Sequence, residues 1–187
     1  LDNQFLGNSA ATALAPAGLQ NLAGANTLVS TGSEHGEITA DVKAMVQMMT
    51  ASNLGRRPVW IMHPSNLIAL NMTLTAVGTP AFPETSSNSL YGMPVVTSTT
   101  VPLDVVYLVD ASEMAIAFSG PQFLGTDVAS VHMEDTAPLP IVDGSGTAAA
   151  PVRSLYQTNS LGLRMTLETD WSMTRDGAVV TLTGVKW

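Results

Sequence analysis

Apolar residues fall along this chain in two different periods. Around residues 39–52 they recur on one helical face: Ile38, Val42, Met45, Val46 and Met49 are spaced by four, three, one and three. Asn53 and Gly55 follow, residue types that close helices because they tolerate positive φ. Pro58-Val59-Trp60-Ile61-Met62 is a short apolar run rich in strand formers, and it stops at His63-Pro64-Ser65. Proline suits the first turn of a helix, where its missing N–H has no partner to lose, so Pro64 predicts a second, shorter helix through residues 66–72.

Beyond that helix the pattern changes. From Val77 to Ser89 the density of Gly, Pro, Thr and Ser predicts a surface loop, which leads into Leu90-Tyr91-Gly92-Met93-Pro94. Short β-prone runs then occupy 95–98, 105–109, 114–118 and 128–133, separated by Pro, Gly or Asp. They predict a modest sheet packed on the two helices, an α+β class domain. Pro138, Pro140, Asp143-Gly144-Ser145-Gly146 and Pro151 mark a second loop. In residues 160–171 the odd positions Leu161, Leu163, Met165, Leu167 and Trp171 are apolar, while Gly162, Arg164, Thr166, Glu168 and Asp170 hold the even ones. That alternation predicts a strand with one wet face. It exceeds the usual strand length, so it is expected to run out of the compact domain or to bend partway. Asp176-Gly177 makes a turn and residues 178–183 a last strand. Residues 1–36, dominated by Gly, Ala, Asn, Ser and Thr with a turn at Pro16-Ala17-Gly18, read as a long irregular connection.

Composition narrows the class. A chain of 187 residues supports one sizeable core. Hydrophobic residues make up 45% and charged ones 12%, more apolar than a small monomer needs, so part of the surface is expected to meet other subunits. No apolar run approaches the roughly 20 residues of a membrane-spanning helix. Because the chain opens on Leu1, an N-terminal portion is expected to lie outside it. Seven basic against fifteen acidic residues give a net charge of −8. Lys43, Arg56, Arg57, Arg153, Arg164, Arg175 and Lys186 are scattered, with one adjacent pair, so no phosphate-tracking patch is predicted. The absence of cysteine removes disulfides and thiolate metal sites.

Candidate chemistry is sparse. His35, His63 and His132 do not stand at the spacings that local metal motifs use. His132 with Glu134 and Asp135 would suit a metal or an acid/base pair, but two residues apart on a strand near a loop they suit a solvated face better. Asp143-Gly144-Ser145-Gly146 has the opening of a calcium loop without its regular oxygen ligands or closing Glu, which favours a turn. Ser33, His35 and an Asp can be combined into a triad only on paper, since no nucleophile elbow, phosphate loop or dinucleotide fingerprint is present. Met45 and Met49 belong to the core stripe and only Met48 leaves it, so the methionines read as packing. No catalytic, cofactor-binding or metal residue is assigned and no cofactor is expected. A hydrolase would need a pocket gathering at least two of His35, His63, His132, Asp110 and Glu134.

Five motifs in order carry a resemblance. Leu6-Gly7-Asn8 with Pro16-Ala17-Gly18-Leu19 resembles the Gly-rich passage after the long spine helix of tailed-bacteriophage (phage or prophage) major capsid proteins. Val59-Trp60-Ile61-Met62-His63-Pro64, after the helix at 39–52, resembles the family's strand ending in a polar residue and Pro, with His63 where Asn is commoner. Leu90-Tyr91-Gly92-Met93-Pro94-Val95-Val96 is similar to its Gly-x-Pro-Val-Val strand, with Val101-Pro102 next. Tyr107-Leu108-Val109-Asp110 resembles the strand that follows, and residues 161–171 with 178–180 its closing strand and return.

The resemblance implies the C-terminal portion of a Hong Kong 97-type coat fold, lacking the N-terminal arm, extended loop and spine helix. On that pattern residues 1–36 form the junction, 37–157 the axial domain, 158–173 the long strand of the peripheral domain, and 174–187 the return into the axial domain. It further implies a structural and non-enzymatic subunit that self-assembles through hexamers and pentamers into an icosahedral shell enclosing double-stranded DNA without reading its sequence. Scaffold, portal and maturation protease would be its other partners. The expected location is the virion capsid, assembled in the bacterial host cytoplasm, with no membrane. Net negative charge suits a container that must release nucleic acid. The loops at 78–89 and 136–151 are the candidate contacts between copies. No motif places Lys43 or Lys186 in a cross-link. An encapsulin-type bacterial nanocompartment shell protein shares the architecture and is the alternative.

Overall fold

The computed structural model describes residues 2–13, 15–132 and 152–187. Two compact units divide the chain, one of Leu1–Ala117 with Asp170–Trp187 and one of Phe118–Thr169.

The first unit begins with two short helices, α1 (Asp2–Phe5) and α2 (Leu19–Ala23), and a strand, β1 (Thr27–Val29). The connection predicted for residues 1–36 is therefore a structured cover. Its elements are too short for a pattern to show in sequence, and they are held by tertiary bonds. The Tyr107 hydroxyl donates to Leu6 O at 2.8 Å, and Trp171 Nε1 donates to Ala17 O at 2.8 Å. Gly18 sits where a Cβ would lie 2.2 Å from Gly7 O, so the two passes of backbone close on each other only because this residue has no side chain.

Next come α3 (His35–Ala51), β2 (Pro58–Met62) and α4 (Pro64–Met72). α3 starts before the hydrophobic stripe does. Glu34 and Glu37 form a capping box in which Glu34 N donates to Glu37 Oε2 at 3.0 Å, which satisfies orphan donors of the first turn. The stripe itself behaves as predicted: Ile38, Val42, Met45 and Met49 are buried, Val46 is half-buried, and Met48 packs at the margin of the same cluster. α4 has Pro64 at its start and the Nδ1 of His63 accepting from Ser65 N at 3.1 Å. The loop predicted from Val77 to Ser89 is less free than its composition implied, because Phe82 and Thr85 are buried and Pro83–Ser87 forms a 3-10 turn.

The strands β3 (Ser89–Leu90), β4 (Met93–Thr97), β5 (Val105–Asp110), β6 (Met114–Phe118), β7 (Gln122–Thr126), β8 (Ser130–His132), β9 (Val152–Ser154), β10 (Gly162–Thr166), β11 (Thr169–Met173) and β12 (Val179–Thr183) complete the described elements. Six strands of the first unit form one sheet in the order β1-β12-β5-β2-β4-β3. β1 runs parallel to β12 and β2 parallel to β4, while β5 is antiparallel to both of its neighbours. β5 is buried at every residue, which is why its sequence is a continuous apolar run and not an alternating one. Its side chains divide between the faces. Val106 and Leu108 join α3, Trp60, Met62, Leu70, Val180 and Leu182 in one cluster, and Val105, Tyr107 and Val109 join Leu6, Leu19, Ala23 and Val179 in the other.

β6 pairs with β11, and the residues between them belong mainly to the second unit. There β7 and β10 form an antiparallel ribbon in which Met165 stands opposite Phe123 and Leu163 opposite Gly125. β8 and β9 form another, with His132 opposite Val152. The long strand predicted over 160–171 is thus two strands, interrupted at Leu167-Glu168 and joined to different partners. The loop at 136–151, Glu134, Asp135 and the Asp143-Gly144-Ser145-Gly146 turn lie outside the described residues.

Candidate functional site

The most concentrated polar chemistry in the first unit is gathered by Asp110. This residue ends β5, where Pro58 of β2 is its register partner, so its carboxylate faces the turn that leaves α3. Oδ2 accepts from the backbone N–H of Gly55 at 2.6 Å and of Arg56 at 2.9 Å, and Oδ1 from Arg57 N at 3.1 Å, Ser112 N at 3.1 Å and Ser112 Oγ at 2.7 Å. Gly55 reaches this position with φ of 105°, a conformation in which a side chain is strained. Burial alone would raise the carboxyl's pKa. The hydrogen bonds of Ser112, Gly55 and Arg56 outweigh it and hold the group well below the usual carboxylate range. All five donors come from this chain, so the carboxylate is a brace between α3, β2 and β5, not a free base.

A second buried acid, Asp41 of α3, accepts from Ser30 Oγ at 2.9 Å, Thr31 Oγ1 at 2.8 Å and Thr31 N, and so ties the end of β1 to the helix. Burial pushes the Tyr107 phenol up to about 12, with the Asp104 charge adding to the shift. Arg175 pairs with Glu113 at 3.8 Å and donates to Ser52 O at 2.9 Å. Each of these groups serves the fold.

In the first unit Asp110 is kept apart from the histidines a hydrolase would pair it with. His35 stands at the start of α3 and packs its ring on Phe82, with centroids 5.3 Å apart. Asp110 braces the turn beyond the other end of that helix, whose 17 residues span about 25 Å at ~1.5 Å per residue. His63 follows β2 at the end where Met62 faces Val106, while Asp110 faces Pro58 at the other, a strand's length of about 17 Å at ~3.4 Å per residue. His132 belongs to the second unit and Glu134 lies outside the described residues. An open recess in the first unit, lined by Arg57, Pro58, Val59, Gly92, Met93, Pro94 and Ala111, contains none of the five. Among the described residues, no three His, Cys, Asp or Glu side chains come together as metal ligands.

What the chain does present is apolar surface. On the β7–β10 ribbon Leu163, Phe123 and Met165 share one face and are 70%, 63% and 59% exposed, with Leu161 and Leu167 exposed on either side. In the first unit Ile68 and Met72 of α4 and then Leu74 and Val77 are exposed as well. The alternation in 160–171 marked an apolar face correctly, but of its five apolar odd positions Trp171 alone is buried. Surfaces of this kind mark interfaces more often than catalytic sites.

The comparisons with known proteins agree in kind. The profile described as the phage capsid family matches residues 1–183. The chain belongs to the phage capsid family. A curated member, the capsid polyprotein of Pseudomonas phage PAJU2, is 30% identical over 196 residues, which cover all of this chain and 28% of that protein. Solved chains from Microbacterium phage Oxtober96 and Mycobacterium phage Adephagia superpose with TM-scores of 0.69 and 0.68 at 15% and 11% identity. The alignments cover 97% of this chain and 60% and 59% of theirs. The likeness places the sheet and its helices in the Hong Kong 97-type coat fold. This family member therefore spans about three-fifths of those solved chains and under a third of the curated relative.

Proposed function

We propose that the chain is part of the structural subunit of a phage or prophage capsid, copies of which assemble through hexamers and pentamers into an icosahedral shell around double-stranded DNA. The match of the capsid family across residues 1–183 carries this reading. The exposed apolar positions support it, because a subunit that buries its surface against copies needs such positions and a lone enzyme does not. The role is architectural and not catalytic: the buried carboxylates are consumed in bracing the sheet, and His35 and His63 serve local packing and capping contacts.

Within the shell, residues 37–157 and 174–187 make the axial part, and 158–173 belong to the peripheral part. These assignments follow position in a particle, whereas the two compact units follow contacts within one chain, so the boundaries need not coincide. Scaffold, portal and maturation protease are the further partners, assembly takes place in the host cytoplasm, and the DNA is enclosed without sequence-specific contacts. The test is negative-stain electron microscopy of the complete reading frame that contains this chain, with nuclease protection of any enclosed DNA. Closed shells or rings of five and six copies are expected. A monodisperse monomer at every concentration overturns the shell, and closed particles that never protect DNA transfer the reading to a nanocompartment.

A further inference from the structure

The hairpin of β3 and β4 turns through Tyr91 and Gly92, whose φ angles are 50° and 75°. Two residues of positive φ between antiparallel strands make a tight turn whose first position normally takes Asn, Asp or Gly. A tyrosine there is strained, because a bulky side chain in the left-handed region crowds its own backbone. Its ring leans on Phe82 and its hydroxyl meets Thr39 Oγ1 at 3.3 Å, yet Tyr91 remains 48% exposed. Gly92 leads from it into the open recess at the starts of β2 and β4, a volume of about 370 Å³ lined by Val59, Met93 and Pro94 with Arg57 among them. Arg56 and Arg57 are exposed, and Asp110 holds their backbone N–H groups. Neither guanidinium has a hydrogen bond or ion pair among the described residues. Tyr, Met and Arg are residue types enriched at protein interfaces, and strain held at an exposed position points to use.

We propose that this recess takes residues 134–143 of a neighbouring copy of the chain, with Leu139, Ile141 and Val142 filling the apolar part and Glu134, Asp135 and Asp143 facing Arg56 and Arg57. The inference rests on the shell reading, since it needs copies side by side. Complementarity favours this occupant. Residues 133–151 carry those three acids and no Lys or Arg, and the apolar residues lie between Asp135 and Asp143, the order that an apolar recess edged by cations requires. Reach favours it as well. His132 and Val152 are register partners, so the nineteen residues between them leave and return at one place, and at ~3.3 Å per residue their middle can stand about 30 Å away. Each copy is then donor to one neighbour and acceptor from another, the head-to-tail contact that closes into rings. Rim charges of this kind fix register and partner more than they add affinity.

Fluorescence anisotropy of a labelled synthetic peptide with the sequence of residues 133–144 tests it. The acceptor is the 187-residue chain with Glu134→Gln, Asp135→Asn and Asp143→Asn, so that its own segment does not compete. Saturable binding below about 1 mM is expected. It should weaken about fivefold with Arg56→Gln and Arg57→Gln together, and by a similar factor when the peptide carries amides in place of its three acids. The arginine substitutions keep the backbone N–H groups that Asp110 holds, so the urea midpoint should stay the same. No saturation, or equal binding after either change, overturns the proposal. In sedimentation velocity an equimolar mixture of the arginine-substituted and acid-substituted chains should run heavier than either alone, because one supplies only the segment and the other only the recess. A mixture no heavier than its components overturns docking between copies. Failure of the titration while shells form removes this contact alone, whereas the expected binding in the absence of shells removes the shell alone.

Discussion

Asp110→Asn isolates the brace at the end of β5 with little change of shape. The wild-type carboxylate accepts five hydrogen bonds, three of them from consecutive backbone amides. An amide can still accept at its oxygen, but its NH2 faces donors where the second oxygen stood. Hydrogen bonds to charged groups are worth roughly 1.5–3 kcal/mol each, and breaking two of them costs less than twice that here because the amide oxygen of Asn still accepts and Arg56 and Arg57 are exposed residues; we expect a loss of about 2–3 kcal/mol at pH 7. For a chain of this length that lowers Tm by about 5–10 °C. The pH dependence is the sharper signature. The folded carboxyl has a pKa held below its unfolded value of about 3.9, so its contribution is fully present above that value and is lost as pH falls toward the folded one. Asn cannot titrate. The stability gap between wild type and variant should therefore be constant from pH 7 to 5 and narrow by about 1 kcal/mol at pH 3. Urea unfolding at each pH, followed by the fluorescence of tryptophans that include the buried Trp60, measures it. A gap that stays the same between pH 5 and pH 3, or never opens at pH 7, would refute the reasoning.

Tyr107→Phe removes the phenol that donates to Leu6 O, and at neutral pH it should cost about 1 kcal/mol. Because the folded phenol is pushed up to about 12, its contribution is present below the unfolded value of about 10 and fades as pH rises from 10 through 12; the variant should lack that part of the alkaline loss in circular-dichroism titrations. Gly18→Ala places a Cβ 2.2 Å from Gly7 O and 2.7 Å from Gln4 O, both backbone atoms that cannot rotate away. It should destabilise the first unit by about 1–3 kcal/mol in thermal melts, and an unchanged Tm would show that the two passes of chain part easily.

Legibility in the sequence followed range. α3 and α4 were readable because a helix writes its packing at three- and four-residue spacing and its start in proline or caps; the Glu34–Glu37 capping box was not, because Glu is not among the residue types that usually open one. β5 and β12 were readable as apolar runs, but their adjacency was not, since nothing local to residues 105–110 names 179–183 as a partner. β7 escaped because Gly120-Pro121 and Gly125 break its pattern, and the break at Leu167-Glu168 was hidden by an alternation that continues through it. Asp110 stood in the sequence as the polar end of an apolar run. Its bonds to Gly55, Arg56 and Arg57 were not legible there, because they exist only once β2 and β5 are paired. The coat-fold resemblance succeeded where single motifs were ambiguous because it used their order along nearly the whole chain.

The strand order has a consequence for how the chain is made. β1 finds its partner in β12, about 150 residues later, and β12 also fills the place between β1 and β5. At ~5–20 residues per second a ribosome takes roughly 8–30 s to bridge that distance. Over the last roughly 4–14 s of that interval, once β5 is made, the nascent chain has α3, β2 and β5 in hand while one edge of β5 is open and the seats of Val180 and Leu182 are empty. The last strand therefore acts as a clock for the first unit. A subunit interrupted before residue 179 leaves an unpaired apolar edge, and that edge invites wrong partners in a crowded cell before any correct assembly can begin.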